Sequence, residues 1–94
     1  MNNWYLYLVR CRDGSLYTGI TTDVDRRLKE HQANLGAKYL RGRGPLVLVF
    51  QEKIGAKRLA FQVERAVKRW PKSKKEQLVR SGRGCLKMIT PPEP

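Results

Sequence analysis

Four side chains in the sequence have the chemistry needed to hydrolyse a phosphodiester: those of Tyr17, Arg27, His31 and Glu64. A carboxylate can hold Mg²⁺ while the ion keeps most of its waters. An arginine can stabilise the charge that develops on a phosphoryl group, and a tyrosine or histidine can take a proton from water. These residue types therefore predict a metal-dependent phosphodiesterase site, provided that the fold brings them together.

Each of these residues also has a more ordinary explanation. Tyr17 on a strand can be half-buried packing, and Arg27 can belong to a solvated helix face. Glu64 can pair with Lys68 one helical turn later, and His31 can be a partly buried surface residue. From the residues alone, the sequence indicates a basic α/β domain that binds nucleic acid.

The basic side chains are concentrated in the second part of the chain. The 94 residues include 20 Lys and Arg and 8 Asp and Glu, for a net charge of +12. Residues 1–37 carry a net charge of +1 and residues 38–94 a net charge of +11. Since a net charge of about 2–8 is usual for a small soluble domain, this asymmetry indicates a polyanionic partner, most simply nucleic acid. An anionic membrane surface and a merely solubilising charge are the alternatives.

Five of these cations are the best candidates to hold a nucleic-acid backbone. Three lie in the segment AKYLRGRGP, a basic loop punctuated by glycine, and two begin the helix expected after it. Contacts of this kind bind phosphates without reading sequence. The five residues are Lys38, Arg41, Arg43, Lys57 and Arg58.

The cysteines and the apolar runs exclude several classes of protein. Cys11 and Cys85 form no CxxC pair, and the chain has one histidine, so a structural zinc site of the Cys/His type is excluded within one chain and reduced thiols are expected. No run approaches 18 apolar residues, and we expect no signal peptide. We therefore predict a cytoplasmic protein with no membrane partner and no small-molecule cofactor.

Two strands and a helix are predicted to position the first half of the site. Residues 4–11 and 16–20 are rich in aromatic and branched side chains and are separated by Asp-Gly, a strong hairpin signal. Thr22 is expected to cap the helix that follows. Arg27 and His31 are four residues apart and would share one face of this helix.

The second half of the chain is predicted to add a strand and two helices. The run LVLVF at residues 46–50 is continuously apolar, which favours a buried central strand. Helical spacing over residues 57–70 ends at Pro71, and Ser73 is expected to cap a short basic helix over residues 73–80.

The predicted fold class is an α/β (α+β) sandwich with the element order β-β-α-β-α-α. Its sheet has three mostly antiparallel strands flanked by helices. The length suits one domain over residues 1–88, followed by a C-terminal tail over residues 89–94.

Several short motifs, in order along the chain, resemble a known family. YLY at residues 5–7, YTG at 17–19, RRLKEH at 26–31 and FQVERAVKRW at 61–70 are similar to the motifs of the GIY-YIG nuclease superfamily. The ten-residue step from Tyr7 to Tyr17 fits as well. Nearly the whole chain is similar to the small single-domain bacterial branch, the YhbQ-like proteins. The resemblance implies a GIY-YIG endonuclease-like fold.

The resemblance also implies a role for each site residue. Tyr17 matches the tyrosine that acts as, or helps to form, the general base, and Tyr7 matches a tyrosine near the phosphate and the nucleophilic water. Arg27 matches the arginine that contacts the scissile phosphate. Glu64 matches the glutamate that holds a single divalent metal, Mg²⁺ or Mn²⁺. His31 matches a histidine with a supporting or proton-handling role.

Two further positions concern structure and specificity. Gly19 matches a glycine that lets backbone and helix pack closely, whereas Tyr5 stands where the first signature has its glycine. Ile20 stands where some repair members of the superfamily carry a lysine. Neither departure removes a metal or phosphate ligand.

The functional hypothesis is a metal-dependent endonuclease that acts on DNA in repair or recombination. RNA is the alternative substrate. The first alternative is a nucleic-acid-binding module of the same fold with little or no cleavage activity. The second is a protein-interaction domain that presents the basic helix over residues 73–80 to an acidic partner.

Overall fold

The computed structural model describes residues 3–89. Its strands are β1 (Trp4–Arg10), β2 (Leu16–Thr21) and β3 (Val47–Gly55). Its helices are α1 (Val24–Gln32), α2 (Lys57–Lys68), α3 (Lys72–Ser81) and α4 (Cys85–Ile89), and a 3₁₀ turn (Lys38–Leu40) precedes β3. The predicted fold class is confirmed, and the 3₁₀ turn and α4 are additions that the sequence pattern did not indicate.

The three strands form an antiparallel sheet in the order β2-β1-β3. The central strand is therefore β1, and the prediction that residues 46–50 form the central strand is wrong. β3 lies at an edge, extends to Gly55, and leaves the side chain of Val47 54% exposed. The hairpin places β2 on one side of β1, so β3 can pair only along the other side.

Alternation along β1 separates two clusters of buried side chains. Leu6 and Leu8 point to one face of the sheet, and Tyr7, Val9 and Cys11 point to the other. The first face packs against α2, α3 and α4 in what we call the apolar cluster, which contains Leu6, Leu8, Phe50, Val63, Val67, Leu78 and Cys85. The second packs against α1 and the 3₁₀ turn in the mixed cluster, which contains Tyr7, Val9, Cys11, Val24, Leu40 and Leu46.

Helix α1 begins one residue later than the capping prediction requires. The N-cap is Asp23, whose side chain accepts a hydrogen bond of 3.0 Å from the backbone N–H of Arg26, so the prediction of Thr22 as cap is wrong. Thr21 supports this start, since its Oγ1 accepts from the N–H of Asp23 at 3.1 Å. Aspartate is as good a cap as threonine, and the structure uses the one nearer to the helix.

Helix α3 begins at Lys72, with Pro71 in the N-cap position and without a side-chain cap, so the prediction of Ser73 as cap is also wrong. Glu76 instead accepts two hydrogen bonds of 2.7 Å from Arg10 at the end of β1. Lys72 lies 3.1 Å from the same carboxylate. Charge-assisted bidentate pairs of this kind fix geometry, and this one fixes α3 to the sheet.

The C-terminal part of the described chain is held by a second carboxylate. Glu52 on β3 accepts hydrogen bonds from the backbone N–H groups of Gly84 and Cys85, at the start of α4. Ile89, which the sequence assigns to the tail, is the last residue of α4 and packs against the apolar cluster. Residues 90–94 lie outside the described residues, so the domain boundary stays a prediction.

Across residues 3–89, no helix is both long enough and apolar enough to cross a bilayer.

Candidate active site

A buried hydrogen bond between Tyr7 and His31 forms the floor of the site. The Tyr7 hydroxyl lies 2.8 Å from Nε2 of His31, and the two residues are 3% and 1% exposed. Tyr7 comes from the central strand and pairs with Gly19 on β2. A Cβ at Gly19 would lie 2.5 Å from Cζ of Tyr7, so only glycine leaves room for the tyrosine ring to lie over the edge strand.

Tyr17 adds a third ring to this pair. Its centroid lies 6.4 Å from that of Tyr7 and 5.7 Å from that of His31, with an edge-on arrangement to the histidine. Such distances are within the range of favourable aromatic contacts. The structure thus brings the rings of Tyr7, Tyr17 and His31 together.

Arg27 lies beside the Tyr7 hydroxyl and is partly exposed. Burial and the neighbouring Tyr17 raise the pKa of Tyr7 to about 12, against a smaller lowering by the guanidinium of Arg27. The same guanidinium forms a salt bridge with Glu30, with 3.0 Å between Nη1 and Oε1. At neutral pH, Tyr7 is consequently a neutral hydroxyl next to a positive charge.

Glu64 reaches this site from the opposite layer of the fold. Its helix, α2, packs Val63 and Val67 into the apolar cluster, yet the charge of Glu64 still contributes to raising the pKa of Tyr7. Its Oε2 lies 3.5 Å from Nζ of Lys68. Nζ of Lys68 in turn lies 6.0 Å from the centroid of the Tyr17 ring. Lys68 therefore lies between the Glu64 carboxylate and the Tyr17 ring.

The donor set at Glu64 fits a hard divalent ion held mainly by water and substrate. Among residues 3–89, no three His, Cys, Asp or Glu side chains converge on a common metal position. Mg²⁺ commonly binds through one or two carboxylates plus substrate phosphates, and it keeps several waters. Glu64, with its side chain 16% exposed, can serve as such a ligand once Lys68 gives up its contact.

The basic loop before β3 borders the site through Tyr39. The ring of Tyr39 stacks on that of Tyr17, with centroids 6.0 Å apart and planes inclined by 23°. Arg43 lies over Tyr39, with Cζ 4.2 Å from the ring centroid, and also pairs with Asp13 at 3.4 Å. Arg43 therefore has structural contacts, whereas Lys38 and Arg41 have no ion pair among the described residues.

Lys57 and Arg58 lie in the first turn of α2, and Lys57 and Glu64 belong to one stripe of that helix. They are two helical turns apart, which corresponds to about 10 Å along the axis. Nζ of Lys57 lies over two rings, 5.4 Å from the centroid of Trp4 and 5.6 Å from that of Phe61. Of the predicted cations, Arg43 contacts Tyr39 beside the site, and Lys57 lies about two helical turns from Glu64. Tyr5, predicted to be structural, is half-buried against the mixed cluster.

Two residues near the site escaped the sequence analysis. Tyr39 stacks on Tyr17, and its signal was an aromatic residue inside a basic loop, a combination typical of nucleic-acid surfaces. Lys68 was considered only as the ordinary partner of Glu64. The structure contains that ion pair, so Glu64 has both its ordinary contact and its position beside the tyrosines.

The fold and the site together define a class of protein. A three-stranded antiparallel sheet and α1 bring together two tyrosines, an arginine and a histidine, and Glu64 on α2 pairs with the lysine that lies near Tyr17. The sequence model of the family described as the GIY-YIG catalytic domain matches residues 3–77. The chain belongs to the GIY-YIG family.

The similar proteins are small and match this chain over most of their length. A UPF0213 protein from Citrobacter koseri is 54% identical over 84 residues, which cover 89% of this chain and 84% of the relative. The UPF0213 protein YhbQ from Escherichia coli K12 is 49% identical over 90 residues, covering 96% and 90% of the two chains.

Two solution NMR structures have the same fold. The UPF0213 protein BH0048 from Bacillus halodurans is 51% identical, with a TM-score of 0.57 over 87% of each chain. The protein EF2693 from Enterococcus faecalis is 31% identical, with a TM-score of 0.61 over all of this chain and 96% of the other.

Proposed function

We propose that this protein is a metal-dependent endonuclease that hydrolyses phosphodiester bonds in DNA, in the cytoplasm and in the service of repair or recombination. Membership of the GIY-YIG family supports a nuclease. The observation that carries the proposal is the position of Glu64, whose partner Lys68 lies 6.0 Å from the Tyr17 ring. A carboxylate, a phenol and the guanidinium of Arg27 then border one partly exposed edge of the sheet.

The residues divide the reaction between them. Arg27 stabilises the negative charge that develops on the scissile phosphate, because its guanidinium stays charged and partly exposed beside Tyr7. Tyr17, in its phenolate form, takes a proton from the attacking water and becomes the neutral phenol, aided by Tyr7 and His31. Glu64 holds Mg²⁺ or Mn²⁺, which when bound polarises the phosphate and lowers the pKa of water.

The surroundings of the site bind the substrate backbone. The loop cations Lys38, Arg41 and Arg43 border Tyr17 through Tyr39, and Lys57 and Arg58 lie at the start of α2. Contacts to phosphates from two sides would position the strand without reading its sequence. DNA is the proposed substrate on this basis, and RNA presents the same backbone charge.

A second candidate is a nucleic-acid-binding module with little cleavage. The observation that favours it is the ion pair of Glu64 with Lys68 at 3.5 Å, which occupies the proposed metal ligand. This candidate predicts that Arg41 matters for binding, whereas Tyr17 and Glu64 do not. The third reading, a protein-interaction domain built on α3, is weakened because Lys72 and Glu76 in that helix are engaged with each other and with Arg10.

The deciding experiment measures cleavage of plasmid, single-stranded and branched DNA with Mn²⁺, with Mg²⁺ and with a chelator. Wild type should cut at least one substrate only with metal, and Glu64→Ala should lower the rate by at least about 100-fold. Lys68→Gln is the matched control, since it removes the same ion pair but leaves the carboxylate. It should still cut, and only with metal. If wild type and Glu64→Ala behave alike under every condition, the catalytic proposal is wrong.

A further inference from the structure

The imidazole of His31 has a backbone donor on the side away from Tyr7. The N–H of Ala37 lies 3.2 Å from Nδ1 of His31 and donates a hydrogen bond to it. A nitrogen that accepts a hydrogen bond carries no proton, so the neutral ring must carry its proton on Nε2. The other hydrogen bond of the ring then has a defined direction: Nε2–H donates, and the oxygen of Tyr7 accepts, over 2.8 Å.

The direction of this bond decides what Tyr7 can do. Its oxygen accepts from His31, so its own proton is directed elsewhere. Arg27 also lies beside the hydroxyl, and it is a donor with no acceptor to offer. A phosphate oxygen entering beside Arg27 would therefore meet a hydroxyl donor.

The local structure holds the N–H of Ala37 against Nδ1 of His31. A Cβ at Gly36 would lie 2.7 Å from Cε1 of His31, so glycine is required for the chain to pass this close to the ring. Ala37 has φ −60° and ψ 134°, an extended conformation that directs its N–H back to the helix. His31 is 1% exposed, so its ring is shielded from bulk solvent.

We propose that the Gly36–Ala37 peptide is a positioning element of the active site, which fixes the tautomer of His31 and so makes Tyr7 a hydrogen-bond donor to the scissile phosphate. The role of Tyr7 toward the scissile phosphate rests on the proposed function. The tautomer of His31 does not, because it follows from the hydrogen bond that Ala37 donates. It divides the two tyrosines by role: Tyr17 takes the proton from water, and Tyr7 gives a hydrogen bond to the phosphate.

The test uses Ala37→Pro, which deletes the N–H and little else, because proline fixes φ at about −65°. Ala37→Gly is the matched control that keeps the donor. The chain has one histidine, so its ¹⁵N signals can be assigned without ambiguity. In wild type and Ala37→Gly, Nε2 should be protonated and Nδ1 should not. In Ala37→Pro, a population protonated on Nδ1 should appear, and the pKa of His31 should rise towards its ordinary value.

Cleavage supplies a second, independent readout. Ala37→Pro should lose between about 10-fold and 100-fold in rate, as is typical when a group that orients a functional imidazole is removed. The groups that face His31 from the elements around it are Tyr7, Tyr17, Arg27 and Glu30, and all are unchanged in the variant.

The possible results separate this proposal from the proposed function. Protonation of Nδ1 in wild type would overturn the tautomer assignment even if the protein cuts DNA, and this measurement does not depend on whether Ala37→Pro folds. If Nε2 is protonated in wild type but the protein never cuts DNA, the tautomer assignment holds and the proposed endonuclease activity is wrong. Cleavage by Ala37→Pro at the wild-type rate, with the tautomer altered, would overturn the role assigned to Tyr7.

Discussion

The two faces of the sheet share the central strand but differ in what they bury. The apolar cluster contains only hydrocarbon and sulfur side chains, and it is covered by three helices. The mixed cluster, covered by α1 and the 3₁₀ turn, contains Tyr7, whose hydroxyl is hydrogen-bonded to the buried His31. Because alternate residues of β1 point to opposite faces, one short strand contributes to stability on one side and to chemistry on the other.

Adjacent residues of β1 give the sharpest test of this difference. Leu8→Ala removes a fully buried side chain from the apolar cluster and should lower the free energy of unfolding by about 2–5 kcal/mol. Tyr7→Phe leaves the buried Nε2–H of His31 without its acceptor, which should cost about 1–3 kcal/mol, while cleavage falls about 100-fold. Urea unfolding and the cleavage rate per folded molecule measure both. If Tyr7→Phe lost much stability but cleaved at the wild-type rate, the assignment of one face of β1 to stability and the other to chemistry would be wrong.

Two glycines separate an effect on the site from an effect on stability. Gly19 is in close contact with the Tyr7 ring, whereas Gly14 only needs its backbone conformation. Gly19→Ala places a methyl group against the Tyr7 ring, so the tyrosine must move, and cleavage should fall about 100-fold. Gly14→Ala meets no neighbouring atom but has a φ of +88°, so it should cost about 1–2 kcal/mol of stability without changing cleavage. Equal cleavage by the two variants at saturating metal would show that the approach of Tyr7 to β2 is not needed.

Acid should weaken the two faces in different pH ranges. Burial lowers the pKa of His31 below its ordinary 6.5, with a further lowering by Arg27. The unfolded chain then binds the proton more readily, so this part of the stability is present above pH 6.5 and is lost as the pH falls through the folded-state pKa. His31→Gln should remove this part of the pH dependence.

On the other face, the hydrogen bonds from Arg10 and Lys72 lower the pKa of Glu76 from 4.5 to about 2. Its contribution to stability is present above pH 4.5 and is lost as the pH falls towards 2. Thermal unfolding of wild type, His31→Gln and Glu76→Gln across the acid range tests both windows. The same pH range of loss for both residues would contradict this separation.

The smallest effect on function is expected for arginines of the basic loop over residues 37–45. Arg41→Ala should weaken DNA binding several-fold and lower the slope of log affinity against log salt by about one, as for one lost phosphate contact. Arg43→Ala also removes contacts to Tyr39 and Asp13, so it should lower stability as well as affinity. Fluorescence anisotropy over a salt series measures the slope. An unchanged slope for Arg41→Ala would remove this arginine from the proposed interface.

Local patterns predicted most of the elements but not their arrangement. The hairpin and α2 follow from turn chemistry and helical spacing, which depend on neighbouring residues. The order of the strands does not, and the apolar run 46–50 was placed in the centre although β3 lies at an edge. The caps at Thr22 and Ser73 were wrong because several polar residues near each helix start satisfy the same rule.

The candidate site depended on the family resemblance more than on pattern. Spacing alone could not bring Glu64 on α2 to Tyr17 on β2, because the two residues lie on different layers of the fold. The contact of Tyr39 was not predictable for the same reason, since it joins a loop to a strand that is distant along the chain. The contact of Ala37 with His31 spans only six residues, but it depends on how the chain turns at Gly36, which residue patterns do not specify. Roles for the site residues stay predictions until the variants are measured.

The two cysteines provide a means of following each face separately. Cys11 belongs to the mixed cluster and Cys85 to the apolar cluster, and both are buried free thiols. A small alkylating reagent can reach each thiol only when its own side of the protein opens. The ratio of the two labelling rates, read by mass spectrometry, would therefore report which side opens first, without any added probe.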